Sequence, residues 1–268
     1  MSDRFQSDWL ALREPLDHFA RSRSLLPRLH DWCAGRDPLR ILDLGAGTGS
    51  NLRWLSPHLK QRQDWTLVDH DPALLALVRT KIPGLQWRCI QADLGAWDHY
   101  ADQHPYDLVT ASALLDLVSK TWLDTLVDAC RLRAAAVMMA LNYDGHIEWS
   151  TPDPWDPTVG EAVNTHQTRN KGLGAALGPS ASAQLADGLR AVNYFVWIEP
   201  SAWDIGCESP GLARMLVDGW VAAASEQDPA HESDFRAWGE RRCRDLLSGH
   251  SRVRVGHQDL LALPDTAR

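Results

Sequence analysis

The sequence predicts an α/β fold with a doubly wound, mostly parallel sheet. From Leu39 onward, short aliphatic strands alternate with helical patterns, which is typical of βαβ units whose sheet is covered on both faces. A glycine-rich turn follows the first strand and leads directly into a helix, as in nucleotide-binding βα units. The chain has 268 residues, 44% of them hydrophobic, which is enough for one large domain.

A helix is predicted before the first strand. Apolar residues recur there at three- and four-residue spacing, which indicates one apolar stripe along a helical N-terminal extension. The stripe consists of Phe5, Trp9, Leu12, Leu16 and Phe19.

Five strands and their connecting helices follow in order. The strands are LRILDL (39–44), WTLVDH (65–70), LQWRCIQAD (85–93), YDLVTASA (106–113) and AAAVMMALN (134–142). The helices are predicted over 51–59, 73–81 and 121–132. Asp71 and Pro72 supply an N-cap and a first-turn proline for the second of these helices.

The character of the sequence changes after Asn142. Residues 143–180 are rich in proline, glycine and polar side chains and are too long for an idle connection, so we expect an insertion that covers a substrate. Regular patterns then resume as helices near 182–190 and 234–247, a helix capped by Ser209 and Pro210, and strands YFVWIE (194–199) and SRVRVGHQDLLAL (251–263).

The composition disfavours several classes of protein. A formal net charge of −8 makes nucleic acid and anionic membranes poor partners. No apolar run is long enough to span a bilayer and the N-terminus lacks the apolar segment of a signal peptide, so we expect a cytoplasmic protein. The five cysteines are scattered without CxxC spacing and predict neither disulfides nor a metal site. None of these patterns encodes the oligomeric state.

The glycine-rich turn is preceded by a carboxylate, Asp43, at the tip of the first strand. Helix N-termini favour anions, whereas a carboxylate on the same edge repels a pyrophosphate. Ser50 also stands where a dinucleotide site would have its third glycine, which disfavours a nicotinamide-dependent oxidoreductase. A ligand with cationic groups and no phosphate removes the conflict, and S-adenosylmethionine, with its ammonium and sulfonium, is such a ligand.

Two more acids end the next two strands. Asp69 follows the second strand, where a carboxylate can accept both ribose hydroxyl protons. Asp93 follows the third, where it can accept from an adenine amino group while Leu94 offers a backbone NH and an apolar surface. Either acid alone is as well explained by a cap or turn. Three acids at three consecutive strand ends favour a ligand site.

These motifs resemble those of the class I S-adenosylmethionine-dependent methyltransferases. The resemblance rests on ILDLGAGTGSNL, LVDHDPALL, QADL and YDLVTASALLDLV, and is strong over residues 39–142. It implies a seven-stranded sheet, six strands parallel, with the last one antiparallel between the fifth and sixth. It also implies that Asp43, Gly45, Gly47 and Gly49 hold the methionine end of the cofactor, Asp69 the ribose, and Asp93 and Leu94 the adenine, with Ser112 beside the sulfonium. We therefore divide the chain into an extension, 1–38, and a cofactor-binding domain, 39–268, with its insertion at about 143–180.

Candidates for the methyl acceptor site follow the fourth and fifth strands. Asp116 lies just beyond the fourth-strand loop, where it can act as a base, steady a cationic acceptor, or simply face solvent or the cofactor. Asn142, for substrate binding, and Tyr143, as a catalytic candidate, follow the fifth strand at the edge where parallel sheets bind ligands.

The insertion offers a polar cluster, NTHQTRNKG, with tryptophans nearby. His166 has an ordinary pKa that suits a base near neutral pH, although a loop histidine is more often only solvated. Arg169 can hold a substrate carboxylate in a bidentate pair, and Trp149 can line the substrate pocket.

Together these observations predict methyl transfer from S-adenosylmethionine to an oxygen or nitrogen of a small polar or biosynthetic metabolite. The fourth-strand loop, TASALLDLV, contains neither an Asn-Pro-Pro-Tyr-like stretch nor a Pro-Cys pair, which favours a small acceptor over nucleobases and glutamine. The alternatives are a non-catalytic partner protein that kept the fold, and a methyltransferase acting on a protein or RNA.

Overall fold

A computed structural model of the chain describes residues 3–80, 82–97 and 105–265. The strands are β1 (Leu39–Leu44), β2 (Gln63–Asp69), β3 (Gln86–Gln91), β4 (Leu108–Ser112), β5 (Ala136–Trp149), β6 (Tyr194–Pro200), β7 (Trp203–Ile205) and β8 (Val253–Pro264). The predicted strands form one sheet in the order β3-β2-β1-β4-β5-β8-β6, and β7 also pairs with β8.

The first five strands are parallel, whereas β8 runs antiparallel to β5 on one side and to β6 on the other. The predicted class and the insertion of the last strand are therefore confirmed. The three-residue strand β7 has no counterpart in the sequence prediction, because so short a segment carries no periodicity.

Nine α-helices are assigned among the described residues. They are α1 (Asp3–Ala20), α2 (Leu26–Cys33), α3 (Ser50–Leu55), α4 (Pro72–Leu75), α5 (Lys120–Arg133), α6 (Asp156–Gln167), α7 (Ala181–Ala191), α8 (Pro210–Gln227) and α9 (Glu232–Leu247). None of them, within the part of the chain that the structure covers, is long and apolar enough to cross a membrane.

Apolar side chains pack in separate clusters on the two faces of the sheet. One face carries Leu44, Val109 and Met139 together with α5 and α7. The other carries Ile41 and Leu67 together with α2 and α3. This two-sided burial explains why the central strands read as continuous apolar runs rather than alternating patterns.

A third apolar cluster packs against the predicted insertion. β5 does not end near Asn142 but continues to Trp149, and α6 follows it inside the insertion. Helices α6, α8 and α9 pack together around buried side chains such as Phe235 and Trp238. The insertion is thus largely regular structure, which the proline- and glycine-rich composition did not indicate.

Two helix predictions differ from the structure. The helix predicted over 73–81 is reduced to α4, although Asp71 caps it as expected by accepting from Ala73 N and Leu74 N. On α1, Trp9 and Leu16 pack against the third cluster, whereas Phe19 is 86% exposed. Lys81 and the side chain of Phe5 lie outside the described residues.

Candidate functional site

A cavity of about 360 Å³ opens at the carboxyl edge of the sheet, where α1 covers the glycine-rich loop. Its volume lies in the range of about 300–1,000 Å³ that is usual for small-molecule sites. The lining residues are Trp9, Leu10, Arg13, Asp17, Gly45, Ala46, Gly47, Thr48, Ser50, Asn51, Asp69, His70, Leu74, Leu94, Ser112, Ala113, Leu114 and Leu117.

The glycine loop forms the middle of the cavity wall. Gly45 and Gly47 have φ values of +66° and +53°, in the left-handed region that favours glycine. Three amides of the loop are already bonded: Ala46 N donates to Val68 O, Gly47 N to Asp69 Oδ2, and Gly49 N to Ala46 O. The loop therefore has fewer free donors for a ligand than its sequence suggests. Gly49 precedes α3 and does not itself line the cavity.

Asp69 lies at the end of β2 and ties two loops together. Gly47 N donates to Oδ2 at 2.7 Å, and Asp71 N donates to Oδ1 at 3.0 Å. A carboxylate offers about four acceptor sites, so the cavity side of Asp69 remains able to accept from hydroxyl groups. The position suits the predicted contact with a ribose.

Asp43 lies beneath the cavity and not on its wall. Its side chain is fully buried, Asn51 Nδ2 donates to its Oδ1 at 2.6 Å, and its Oδ2 is enclosed without a partner among the described residues. Burial raises the pKa of Asp43 to about 7, with Asn51 and Arg21 acting in the opposite direction. The direct contact with a cationic ligand expected from the sequence is therefore replaced by an influence through Asn51, which does line the cavity.

The third strand contributes Asp93 and Leu94 in different ways. Asp93 is exposed and accepts from Gly95 N at 2.8 Å, which makes it the cap of a short 3-10 turn. Leu94 is buried and lines the cavity, and its carbonyl accepts from Trp122 Nε1 at 2.7 Å. Ser112, at the end of β4, also lines the cavity.

Three buried titratable side chains form what we call the acceptor-side cluster: Asp116, Tyr143 and His257. None of the three lines the cavity itself, but Asp116 comes two residues after the cavity-lining Leu114 and interacts electrostatically with Arg13, which also lines it, and with Lys171. Burial raises the pKa of Asp116 to about 6, while its own backbone amide and those two cations act in the opposite direction.

The other two members of the acceptor-side cluster face each other across β5 and β8. The rings of Tyr143 and His257 have centroids 6.1 Å apart. Burial lowers the pKa of His257 to about 4, and Arg13 adds to this effect, so the ring is neutral and donates from Nδ1 to Val255 O. Burial raises the pKa of Tyr143, whose hydroxyl donates to Asn164 Oδ1 at 2.8 Å.

Two insertion residues proposed for the site lie on α6 and just beyond it, where they contact α8. His166 Nε2 is 3.0 Å from Glu226 Oε2, and Arg169 Nη2 donates to Glu226 O at 3.0 Å. Neither His166 nor Arg169 is among the described residues that line the cavity. Lys171 connects the two regions, because its Nζ donates to His166 Nδ1 at 3.1 Å and its charge interacts with Asp116.

The structure also places Asn142 and Trp149 away from the cavity wall. Asn142 Nδ2 donates to Met139 O and Gln258 O at an irregularity of β5, so it stabilises the strand. Trp149 packs edge-on against two tryptophans of the third cluster, and the Arg242 guanidinium lies 4.1 Å from its ring. Both side chains make these contacts because β5 extends further than predicted, to Trp149.

The sequence interpretation missed the polar face of α1. Arg13 and Asp17 line the cavity, and Arg21, just after the helix, donates to Asn51 Oδ1 at 2.6 Å. These residues follow Trp9 at intervals of four, so they share one helix face. Two arginines and an aspartate recurring at that interval beside a tryptophan were the signal that could have revealed them.

No group of three or more histidine, cysteine, aspartate or glutamate side chains within the described ranges is arranged to hold a metal ion. The cavity wall consists of two carboxylates, one guanidinium, the imidazole of His70, the amide of Asn51, three hydroxyl groups, apolar side chains and a tight glycine loop. Such a lining can bind an elongated ligand that carries hydroxyls, an apolar ring and opposite charges.

Comparisons with known proteins concern the fold and one part of the chain. A family described as "Methyltransferase domain" matches residues 41–134, which contain the glycine loop, Asp69 and Asp116. No match was found among curated protein sequences. A cyclopropane synthase from Mycobacterium tuberculosis shares the fold with a TM-score of 0.50 at 12% identity, over 98% of this chain and 94% of that one. A plantazolicin methyltransferase in complex with SAH gives a TM-score of 0.50 at 13% identity, over 97% and 89%.

Proposed function

We propose that this chain is a class I S-adenosylmethionine-dependent methyltransferase that methylates an oxygen or nitrogen of a small polar or biosynthetic metabolite. The proposal makes S-adenosylmethionine its cofactor. The observation that carries the proposal is the closure of the cavity by α1, which places Trp9, Leu10, Arg13 and Asp17 over the glycine loop.

The cavity lining fits this cofactor. Asp69 offers acceptor capacity for a ribose diol, Leu94 and Leu74 offer apolar surface for a purine, and Arg13 with Asp17 offers opposite charges for an amino-acid group. S-adenosylmethionine, when bound, supplies an electrophilic methyl carbon on a sulfonium. The chain itself has to align the acceptor with that carbon, exclude water and accept the proton that an oxygen or nitrogen acceptor releases.

The acceptor-side cluster supports a small acceptor. Asp116, Tyr143 and His257 are all less than 10% exposed, so a reacting group has to enter the interior to approach them. A base with a pKa near 6 is ionised at neutral pH, which makes Asp116 the residue we propose to accept the proton. Tyr143, whose pKa is raised further above neutral, and neutral His257 are suited to orient the acceptor by hydrogen bonds.

Two properties disfavour a macromolecular acceptor. The net charge of −8 gives an average field that repels nucleic acid. Helix α1 forms part of the cavity wall together with Ser112, whereas a side chain or base of a macromolecule needs an approach that no helix covers.

The first test is calorimetric titration with S-adenosylmethionine, using Asp69→Asn and the matched control Asp64→Asn. The two aspartates lie at opposite ends of β2, and only Asp69 lines the cavity. We expect Asp69→Asn to weaken binding about 10-fold or more, because a charge-assisted acceptor is lost. Asp64→Asn should bind as the wild type does. Equal affinities in all three proteins would contradict the assigned cofactor site.

The acceptor class is tested with S-adenosylmethionine carrying a deuterated methyl group. The protein is incubated with the metabolite, total-protein and total-RNA fractions of a cell lysate, and the label is located by mass spectrometry. Label in the metabolite fraction supports the proposal and identifies the acceptor. Label confined to protein or RNA overturns it in favour of a macromolecular acceptor, and no label in any fraction, with cofactor binding intact, favours a non-catalytic partner.

A further inference from the structure

Helix α1 presents a pair of opposite charges to the cavity. Arg13 Nε donates to Asp17 Oδ2 at 2.8 Å, and Arg13 Nη2 lies 3.3 Å from Asp17 Oδ1. The two side chains are only 12% and 8% exposed, although both line the cavity. Among the described residues that form this wall, Arg13 is the one arginine or lysine.

The pair is held in place by its surroundings. Trp203 Nε1 donates to Asp17 Oδ1 at 3.0 Å, and the Arg13 guanidinium lies 4.9 Å from the Trp203 ring. Leu10, on the same helix, reaches within 3.4 Å of the place where a Cβ on Gly47 would stand. The helix therefore lies directly against the glycine loop, and the charges of Arg13 and Asp17 are fixed next to it.

Three amides of the glycine loop are not available to the carboxylate of a bound amino acid. The amides of Ala46, Gly47 and Gly49 already donate to acceptors within the protein. Arg13 Nη1, in contrast, has no hydrogen-bond partner among the described residues, and a guanidinium binds carboxylates in a fork. The cation on α1 is thus the better partner for an anionic group in this cavity.

The same reasoning applies to an ammonium group. Asp43 is fully buried beneath the cavity wall. Among the described residues, the carboxylates that line the cavity are Asp17 and Asp69. Asp69, at the end of β2, accepts from two loop amides and is the carboxylate assigned to the ribose diol. Asp17 lies on α1 beside Arg13. The pair therefore presents a positive charge for the carboxylate of an amino acid and a negative charge for its adjacent ammonium.

We propose that Arg13 and Asp17 bind the amino-acid end of S-adenosylmethionine, with Arg13 holding its carboxylate and Asp17 its ammonium. The inference rests on the proposed function only for the identity of the cofactor. It assigns to α1 the recognition that the sequence interpretation gave to the glycine loop and Asp43. A cofactor bound in this way also anchors α1 over the cavity.

The test compares three ligands by calorimetry: S-adenosylmethionine, its decarboxylated analogue and 5′-methylthioadenosine, which lacks the amino-acid end. Wild-type protein should bind the decarboxylated analogue about 10- to 100-fold more weakly than the cofactor, as loss of a charge-assisted pair predicts. Arg13→Gln should bind the two equally, at the weaker affinity. Its affinity for 5′-methylthioadenosine should equal that of the wild type, which also shows that the adenosine site is folded.

Glu14→Gln is the matched control. Glu14 accepts from Arg53 Nε and Nη2, both at 2.6 Å, and so fixes α1 to α3, but neither residue lines the cavity. This variant should keep the discrimination against the decarboxylated analogue. Arg13→Lys keeps the positive charge but loses the two parallel donors of the guanidinium. It should retain part of the discrimination against the decarboxylated analogue.

Several outcomes would overturn the inference. Undiminished discrimination in Arg13→Gln would place the carboxylate elsewhere, and equal losses for all three ligands would mean that Arg13 only supports α1. A loss of discrimination in Glu14→Gln would lead to the same conclusion. If the wild type binds none of the three ligands, the assigned cofactor fails, and that result is distinct from a failure of the Arg13–Asp17 assignment.

Discussion

Asn51 Nδ2 donates to Asp43 Oδ1 at 2.6 Å beneath the glycine loop, while Oδ1 of the same side chain accepts from Arg21 Nη1 at 2.6 Å. One neutral amide thus separates a buried carboxylate from a buried guanidinium. Burial lowers the pKa of Arg21 and raises that of Asp43, so nearby opposite charges and Asn51 offset the desolvation cost of the two charges only in part. A cationic ligand above this network reduces the cost for Asp43.

Asp43→Asn should remove a pH-dependent part of the stability of the ligand-free protein. The pKa of Asp43 rises from 3.8 to about 7 on folding, so the folded state retains a proton that the unfolded chain releases between those values. The contribution of Asp43 is fully present below about pH 4 and is lost as the pH rises through 7. Between pH 5 and 8, the wild type should lose roughly 2–3 kcal/mol relative to the variant, measured by urea unfolding. Parallel curves for the two proteins would contradict the buried state of this carboxyl.

Asn51→Ala should destabilise the protein by about 2–4 kcal/mol, since it leaves two buried charged groups without their shared partner. Thr110→Val is the graded comparison, because Thr110 Oγ1 only accepts one bond from Asn51 Nδ2, at 3.0 Å. Its expected cost is about 1 kcal/mol. The free energy of unfolding in urea measures both. Equal small effects would show that Asn51 does not connect Asp43 and Arg21.

Asp116→Asn should reduce kcat about 10²–10⁴-fold with the acceptor identified by the labelling experiment, because the proposed proton acceptor is removed. In the wild type, kcat should rise with pH through about 6, as the carboxyl loses its proton, and this limb should be absent in the variant. The affinity for S-adenosylmethionine should change little.

Asp124→Asn serves as the comparison for Asp116, since Asp124 pairs with Lys120 on the exposed surface of α5. Its pH profile should match that of the wild type. A variant Asp116→Asn that keeps the limb near pH 6 would assign the base to another residue.

Trp149→Phe should lower stability by about 1–3 kcal/mol without changing the affinity for the cofactor or the KM for the acceptor. Trp149 packs against Trp220 and Trp238 and under the Arg242 guanidinium, so the smaller ring leaves a cavity and weakens the cation–π contact. Unfolding curves and steady-state kinetics on the same preparation separate the two effects. A raised KM with unchanged stability would restore the substrate-binding role predicted from the sequence.

The fold and the glycine loop were predictable because they depend on local signals. The glycine loop follows β1, and Asp69 ends β2. The two lie close together because the carboxyl ends of adjacent parallel strands lie at the same edge of the sheet. The residues of the acceptor-side cluster were harder to predict from the sequence. His257 comes to face Tyr143 only because β8 inserts beside β5, and 113 intervening residues give no pattern that indicates this pairing.

The sequence by itself determined the sheet and the glycine loop, because periodicity and strand-end residues act within one βα unit. The tertiary structure alone decided which side chains reach the cavity. It buried Asp43, placed His166 and Trp149 in contacts with distant helices, and brought Arg13 and Asp17 over the loop. The physical reason is that burial and charge pairing depend on how α1, α8 and β8 pack, and these contacts join residues far apart in the chain.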